Sequence, residues 1–478
     1  MKKFYLLILI SSICYLSNAQ NYEINVKING IKDTVIYLGH HFGEKKLAVD
    51  TAKIDSKGNA VFKKNKELGR GIYMIFVPTP RGMNYFELLI TEKYPKFSIE
   101  TDTTDYIKSM KIKNNNDNLV FNEYQKRTFE IQKQLNKLSE DYQKNIDNKE
   151  ETENIQKEWS KLLEERKDYV NSLITKYPDS FFTKILKALF NEPEIPEPIK
   201  DDQELRFYYF KGHFFDNVDF SENGLLRTPI FEGKINEYLK RCVLPDVDSL
   251  IKETKYIITK AYNAGDSLVY QYTLSYLLSM YDTSKIMGYD AVLCAIAEDW
   301  YLAGKAPWAD TAYLAKVRER VEDIEKILIG KVAPDLVRMQ SIDDKYYTLS
   351  QMPQDYIVLA FWEPSCGHCK KEIPKLMQEY RDSLKAMNIK VLAVYTQYDK
   401  KEWEKFVEEK NLKDDGWINL WDGPYPHSNF RENYNIKSTP QIFVLDKNKT
   451  IIGKRISIED IKGLVKFDIE RKAKTNKK

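Results

Sequence analysis

Residues 361–374 read FWEPSCGHCKKEIP and contain two cysteines, Cys366 and Cys369, separated by two residues. The apolar run Tyr356–Trp362 predicts a buried strand, and residues 366–386 predict a helix. Cys366 would then lie at a helix N-terminus, where free backbone N–H groups and the positive end of the helix dipole favour a thiolate over a thiol. Because the thiolate is the form that attacks a disulfide, this stretch predicts a redox-active thiol pair.

The sequence around the cysteines alternates between strand and helix patterns from Pro334 to the C-terminus. Helices are predicted after the cysteines, at residues 401–410, between the fourth and fifth strands, and at the end of the chain. The strands are predicted at residues 346–349, 356–362, 391–395, 418–421, 441–445 and 451–456. This alternation, with a terminal hairpin, predicts a layered α/β domain with a mixed sheet.

Two regions of different pattern precede the α/β domain. Residues 22–104 alternate apolar and polar side chains in short runs separated by turns, which predicts a small antiparallel β-sandwich. After the run Asn114–Asn118, apolar residues recur about every 3.6 positions, as in helices. The predicted fold class is therefore multidomain: a β-sandwich over residues 20–113, an all-α region over 114–329, and an α/β domain over 330–478.

The first nineteen residues have the pattern of a secretory signal peptide. Lys2 and Lys3 precede the apolar run 4–13, and Ser17–Ala19 provides the small residues of a cleavage site. Export is consistent with a thiol pair, because disulfides persist outside the cytosol. Contact with a membrane is expected only if this segment is retained or if Cys14 carries a lipid, and Ile13 is larger than the residue expected before a lipidated cysteine.

Charge and cysteine usage narrow the function further. The chain has 74 Lys and Arg against 71 Asp and Glu, so its net charge of +3 gives no indication of nucleic-acid binding. Cys242 and Cys294 lie in helical patterns beside apolar residues, where they would act as small buried side chains or form a structural disulfide. The sequence leaves both alternatives open.

Residues 330–478 resemble the thioredoxin-fold module of the TlpA/ResA-like thiol-disulfide oxidoreductases, exported bacterial proteins of the AhpC/TSA superfamily. The resemblance is carried by Gly330–Leu336, Phe361-Trp362 before the cysteines, Pro374 in the following helix, and Thr439-Pro440. It implies a periplasmic location, a cis peptide bond at Pro440 facing the thiols, and a substrate-binding surface that includes Trp362, Thr439 and Pro440. The first 330 residues resemble domains of unknown function that precede such modules.

The resemblance also implies a mechanism. Cys366, at the helix start, would attack, and Cys369 would resolve the mixed disulfide. His368 between them would stabilise the Cys366 thiolate and make the pair more oxidising. Glu372 matches an acidic residue that this family uses near the thiols for proton transfer, whereas Ala360 replaces the buried aspartate of thioredoxin. No cofactor is expected beyond the Cys366-Cys369 disulfide.

Two other uses of the cysteine pair, a zinc site and haem attachment, need ligands that the sequence lacks. A zinc site needs a second ligand pair, and haem attachment needs a histidine where the chain has Lys370. A peroxiredoxin-like thiol peroxidase stays an alternative, as does an envelope binding protein in which the redox module is a passenger. The expected partners are protein thiols and disulfides of the cell envelope and an upstream thiol electron donor or acceptor.

Overall fold

The computed structural model describes residues 21–80, 82–190, 192–423 and 428–475. The predicted signal peptide, with Cys14, lies outside these residues. The chain divides into two compact units, one of Met1–Cys242 and Lys260–Val269, the other of Val243–Thr259 and Tyr270–Lys478. The predicted order of β-rich, helical and α/β regions is confirmed. In the described parts of the chain, no helix has the length and apolar character needed to cross a membrane.

The first unit begins with two four-stranded sheets. Their strands are β1 Tyr22–Asn29, β2 Val35–Phe42, β3 Lys45–Lys53, β4 Asn59–Lys64, β5 Gly71–Thr79, β6 Gly82–Ile90, β7 Lys96–Asp102 and β8 Lys111–Lys113. The strand orders are β4-β1-β7-β8 and β3-β2-β5-β6. Alternating residues of both sheets, such as Ile24 and Ile75, share one buried core, as expected for a sandwich. The sheets are not wholly antiparallel, because β1 and β7 run parallel.

Helices follow the sheets in the first unit. They are α1 Asn116–Lys144, α2 Lys149–Lys176, α3 Phe181–Phe190, α4 Gln203–His213 and α5 Ile230–Cys242, with short 3₁₀ turns at Glu197–Ile199 and Asn223–Arg227. The side chain of Asn115 accepts a hydrogen bond from the Asn118 N–H at the start of α1. The side chain of Asn148 likewise accepts a hydrogen bond from the Glu151 N–H at the start of α2. These N-caps explain why α1 and α2 are separate helices joined by a short polar turn.

The second unit contains further helices ahead of the α/β domain. They are α6 Val247–Asn263, α7 Ser267–Asp282, α8 Asp290–Ile296 with a π-helical extension Ala297–Leu302, and α9 Thr311–Glu325. Residues 260–263 of α6 and residues 267–269 of α7 belong to the first unit. The chain then pairs with the final hairpin of the α/β domain: the N–H groups of Gly330 and Ala333 donate to the carbonyls of Ile451 and Lys449, both at 2.8 Å.

The α/β domain contains one seven-stranded sheet. Its strands are β9 Met339–Ser341, β10 Tyr346–Tyr347, β11 Tyr356–Trp362, β12 Lys390–Tyr395, β13 Trp417–Trp421, β14 Gln441–Asp446 and β15 Ile451–Lys454. Its helices are α10 Cys369–Glu379, α11 Lys400–Glu409, α12 Phe430–Asn433 and α13 Ile461–Thr475, with a π-helical turn at Tyr380–Leu384 and 3₁₀ turns at Leu349–Gln351, Lys385–Met387 and Ile458–Asp460.

Strand β11 lies inside this sheet, whose order is β10-β9-β13-β12-β11-β14-β15. It pairs in parallel with β12 and antiparallel with β14, so the sheet is mixed as predicted. All seven residues of β11 are buried, because both faces of the sheet are covered. Val358 and Trp362 contribute to one core and Leu359 and Phe361 to the other.

Candidate active site

Both cysteines follow the carboxyl end of β11; Cys366 lies three residues before α10, and Cys369 is its first residue. The backbone N–H of Lys370 donates to the Cys366 carbonyl at 3.2 Å, and that of Glu372 donates to the His368 carbonyl at 2.9 Å. The Cys366 carbonyl thus accepts one hydrogen bond of helical spacing, but α10 itself begins at Cys369, three residues after the predicted start. Pro374 lies within α10.

The two thiols differ in exposure and contacts. Cys366 is partly exposed, whereas Cys369 is fully buried against the core of the domain. The Cys366 thiol donates to the Thr439 carbonyl at 3.2 Å, and the backbone N–H of Cys369 donates to the Cys366 sulfur at 3.4 Å. Both thiols are free in this structure. The exposed thiol is the one that a partner can reach, which fits Cys366 as the attacking residue.

The surroundings shift the pKa values of the two thiols in opposite directions. Burial by itself raises the pKa of Cys366, but hydrogen bonds from the backbone of Cys369, from Thr439 and from the backbone of His368 outweigh it and lower the pKa below its ordinary value. Burial raises the pKa of Cys369 to about 12, although the Glu363 backbone offsets part of this effect. At neutral pH, Cys366 is therefore the better source of thiolate.

This difference predicts selective alkylation. In the reduced protein at pH 7, iodoacetamide should modify Cys366 at least about 10³-fold faster than Cys369, because the rate follows the thiolate fraction. The rate at Cys366 should rise with pH and level off well below the range in which Cys369, with a pKa of about 12, ionises. Peptide mass spectrometry measures both rates. Equal rates at pH 7, or a Cys366 profile whose midpoint does not lie below pH 9, would contradict the assignment.

The structure places the predicted proline beside the thiols. The Thr439–Pro440 peptide bond is cis, and the Thr439 carbonyl contacts Cys366. Pro440 lines a cleft that also includes Glu372. Of the three residues predicted to bind substrate, Thr439 and Pro440 therefore lie where a partner of Cys366 would pass.

Trp362, the third of these residues, lies elsewhere. Its side chain is fully buried, and its ring centroid lies 4.9 Å from that of Phe406 and 6.0 Å from that of Tyr395. The predicted substrate-binding role does not fit this position. The reason is that β11 is covered on both faces, so its last residue packs into the core below the thiols instead of reaching the surface.

His368 and Glu372, the other two predicted catalytic residues, differ in their exposure to solvent. His368 is exposed, and its backbone contributes to the lowered pKa of Cys366. The predicted role of its ring stays a prediction. Glu372 is half-buried in the first turn of α10 and lines the same cleft as Pro440. Its predicted role in proton transfer stays a prediction.

Sequence reasoning missed a polar network at the carboxyl end of β12. The Thr396 hydroxyl donates to the Glu363 carboxylate at 3.3 Å, and the Gln397 amide donates to the same oxygen. Arg431 donates to the Thr396 carbonyl. The sequence did contain a signal for this network. The predicted strands over residues 356–362 and 391–395 are consecutive, and the carboxyl ends of parallel strands meet at one edge of a sheet. The network fixes the loop that carries Glu363, whose backbone contacts Cys369.

The remaining cysteines, Cys242 and Cys294, are not part of this site. Cys242 and Cys294 are both buried, and Cys294 forms no disulfide. Within residues 21–80, 82–190, 192–423 and 428–475, no cluster of three or more His, Cys, Asp or Glu side chains could hold a metal ion.

Comparison with protein families divides the chain into two matched regions. Residues 329–454 match the model described as AhpC/TSA family. Residues 139–327 match a domain of unknown function, DUF5106. No curated protein matches the sequence.

Several solved structures are similar to this chain. One is "a domain of possible thiol-disulfide isomerase" from Cytophaga hutchinsonii, with 36% identity, covering 32% of this chain and 98% of that one, at a TM-score of 0.28. Another is a thioredoxin-like protein from Bacteroides caccae, with 21% identity, covering 58% and 98%, at a TM-score of 0.46. StoA from Bacillus subtilis has 21% identity, covering 28% and 98%, at a TM-score of 0.24.

The family match agrees with the central strand, the cysteine-bearing helix and the cis-proline described above. Through residues 329–454 the chain belongs to the AhpC/TSA family, and its C-terminal domain is a thioredoxin-fold oxidoreductase domain.

Proposed function

We propose that the protein is an exported thiol-disulfide oxidoreductase that exchanges disulfides with protein partners in the periplasm. The observation that carries the proposal is the asymmetry of the thiols: Cys366 is partly exposed with a lowered pKa, and Cys369 is buried behind it with a raised pKa. One sulfur is thus suited to attack and the other to resolve. The signal-peptide pattern of residues 1–19 supports export.

The reaction transfers two electrons. The Cys366 thiolate attacks one sulfur of a partner disulfide, forms a mixed disulfide and releases the other partner sulfur as a thiolate. Cys369 then loses its proton and attacks Cys366, which releases the second partner sulfur and leaves the Cys366-Cys369 disulfide. The two partner thiolates that are released each take up a proton and become thiols. An upstream thiol donor restores the dithiol, and the reverse sequence introduces a disulfide into a reduced partner.

Insulin reduction in the presence of dithiothreitol tests the proposal. The wild-type protein should accelerate precipitation of the insulin B chain above the rate with dithiothreitol alone. Hydrogen peroxide consumption is measured on the same preparation. If insulin is not reduced while peroxide is consumed, the protein is a thiol peroxidase and the proposal is wrong. If the protein neither reduces insulin nor consumes peroxide, the alternative of a binding protein with an inactive redox module replaces the proposal.

A further inference from the structure

Glu363 is the first residue after β11, and its side chain is held by the loop that follows β12. The Gln397 amide and the Thr396 hydroxyl donate to the same Glu363 carboxylate oxygen, the hydroxyl at 3.3 Å. Both donors are neutral groups, and Glu363 itself is half-buried. This contact therefore needs an oxygen that accepts two hydrogen bonds, and it does not need the negative charge.

The backbone before Glu363 is tied to the same loop. The N–H group and the hydroxyl of Thr396 both donate to the Trp362 carbonyl, at 3.0 and 3.2 Å. Thr396 is buried, and its carbonyl accepts a hydrogen bond from Arg431 of α12. The position of the Glu363 backbone is therefore set by the end of β12 as well as by β11.

The Glu363 backbone in turn contacts both residues of the thiol pair. Its carbonyl accepts a hydrogen bond from the Cys366 N–H at 3.4 Å. Burial raises the pKa of the Cys369 thiol, and a hydrogen bond from the Glu363 backbone is the largest effect that opposes this rise. The Cys366 sulfur has contacts of its own with the Cys369 N–H and the Thr439 carbonyl. We therefore expect Glu363 to matter more for Cys369 than for Cys366.

The second step of the exchange is the one that needs this contact. Resolution of a mixed disulfide requires a thiolate at Cys369, which is fully buried. A buried negative charge is costly unless hydrogen-bond donors meet it. Glu363 lies between β11 and α10, so neither the strand nor the helix fixes its backbone beside the sulfur. Its side-chain contact with the loop after β12 supplies the missing constraint.

We propose that Glu363 is a positioning residue for resolution: its carboxylate, held by Thr396 and Gln397, keeps the Glu363 backbone beside the Cys369 sulfur while the thiolate forms. The carboxylate acts as a hydrogen-bond acceptor in this role and takes no proton from the thiol. The proposal rests on the proposed function, because it concerns the second step of the same exchange. It makes the rate of that step depend on the end of β12, a strand that carries neither cysteine.

Oxidation of the reduced full-length protein by glutathione disulfide separates the two steps. Cys366 attacks the disulfide, forms a mixed disulfide with one glutathione and releases the other as a thiolate, which takes up a proton. Cys369 then displaces the bound glutathione from Cys366, and the proton that Cys369 loses ends on that glutathione. Samples quenched with acid are analysed by peptide mass spectrometry, which follows the glutathione adduct at Cys366 and the Cys366-Cys369 disulfide.

The variants change the contact in graded ways. Glu363→Ala should slow resolution about tenfold at pH 7 and change the rate of attack less than about twofold, because the Glu363 backbone is no longer held beside Cys369. Glu363→Gln should resolve within about twofold of the wild-type rate, because one amide oxygen can accept both hydrogen bonds. Gln397→Ala should slow resolution about threefold and should have no further effect in a protein that already carries Glu363→Ala. Glu470→Ala, which removes an exposed carboxylate of α13, is the control and should leave both rates unchanged.

The outcomes separate this proposal from the one on which it rests. If the wild-type protein forms neither the adduct nor the disulfide, the proposed function fails and the positioning role fails with it. If the wild type forms both, but E363A resolves at the wild-type rate or slows attack and resolution equally, the positioning role is overturned while the oxidoreductase assignment stands. If E363Q resolves as slowly as E363A, the carboxylate acts through its charge or as a proton acceptor, and the positioning role is again overturned.

Discussion

Cys366→Ser is expected to lower the rate of insulin reduction by at least about 10³-fold, because a serine hydroxyl is not ionised at neutral pH and does not attack a disulfide. Cys369→Ser should behave differently. Its Cys366 can still attack, since the hydrogen bond to Cys366 comes from the backbone of residue 369 and survives the substitution. The mixed disulfide should then accumulate because no thiol at position 369 is present to resolve it.

The assay combines turnover with mass spectrometry of the intact protein. C369S mixed with insulin should carry an insulin chain attached through Cys366. Cys294→Ala serves as the control, since Cys294 is a buried thiol of the same unit that lies outside the motif, and it should retain wild-type turnover. A Cys366→Ser protein that keeps more than about a tenth of the wild-type rate would show that another thiol attacks.

Lys454→Met is expected to lower the free energy of unfolding of the second unit by about 3 kcal/mol, because it leaves a carboxylate without its counter-charge. The Lys454 side chain is 3% exposed and forms an ion pair with Asp290, which is 18% exposed. Its ammonium also donates to the Ile327 carbonyl at 2.7 Å. This lysine thus joins β15 to α8 and to the segment after α9. Urea unfolding followed by tryptophan fluorescence measures the loss.

A double variant provides the control for this prediction. Lys454→Met combined with Asp290→Leu removes both charges and should regain most of the lost stability, since replacing a buried ion pair by apolar side chains is often neutral. If the single and double variants lose the same amount, the loss comes from the apolar stem of the lysine or from the Ile327 contact instead of from the unpaired carboxylate.

The sequence was sufficient to predict the position of the thiol pair between a buried strand and a helix. A two-residue spacing, an apolar strand before it and a helix after it leave few possible arrangements, and in the structure Cys366 lies between β11 and α10, three residues before the helix begins. The burial of Trp362 could not be predicted in the same way. All seven residues of β11 are buried, so the sequence has no polar alternation that would indicate which side chain reaches the surface.

Contacts between segments that are far apart in the chain could not be predicted from the sequence either. The parallel pairing of β1 with β7 joins residues about seventy positions apart, and alternation alone does not reveal the direction of a partner strand. Likewise, the pattern of α9 predicts an amphipathic helix but not that Asp323 lies 2.6 Å from the Lys437 ammonium. The polar network of Glu363 with Thr396 depends on which strand lies next to β11.

The most direct test of the account is a redox titration of the Cys366-Cys369 pair in glutathione buffers, read by alkylation and peptide mass spectrometry. We expect a single two-electron transition in which a disulfide joins these two residues. A pair that stays reduced throughout the titration, with Cys366 instead oxidised to a sulfenic acid by peroxide, would contradict it.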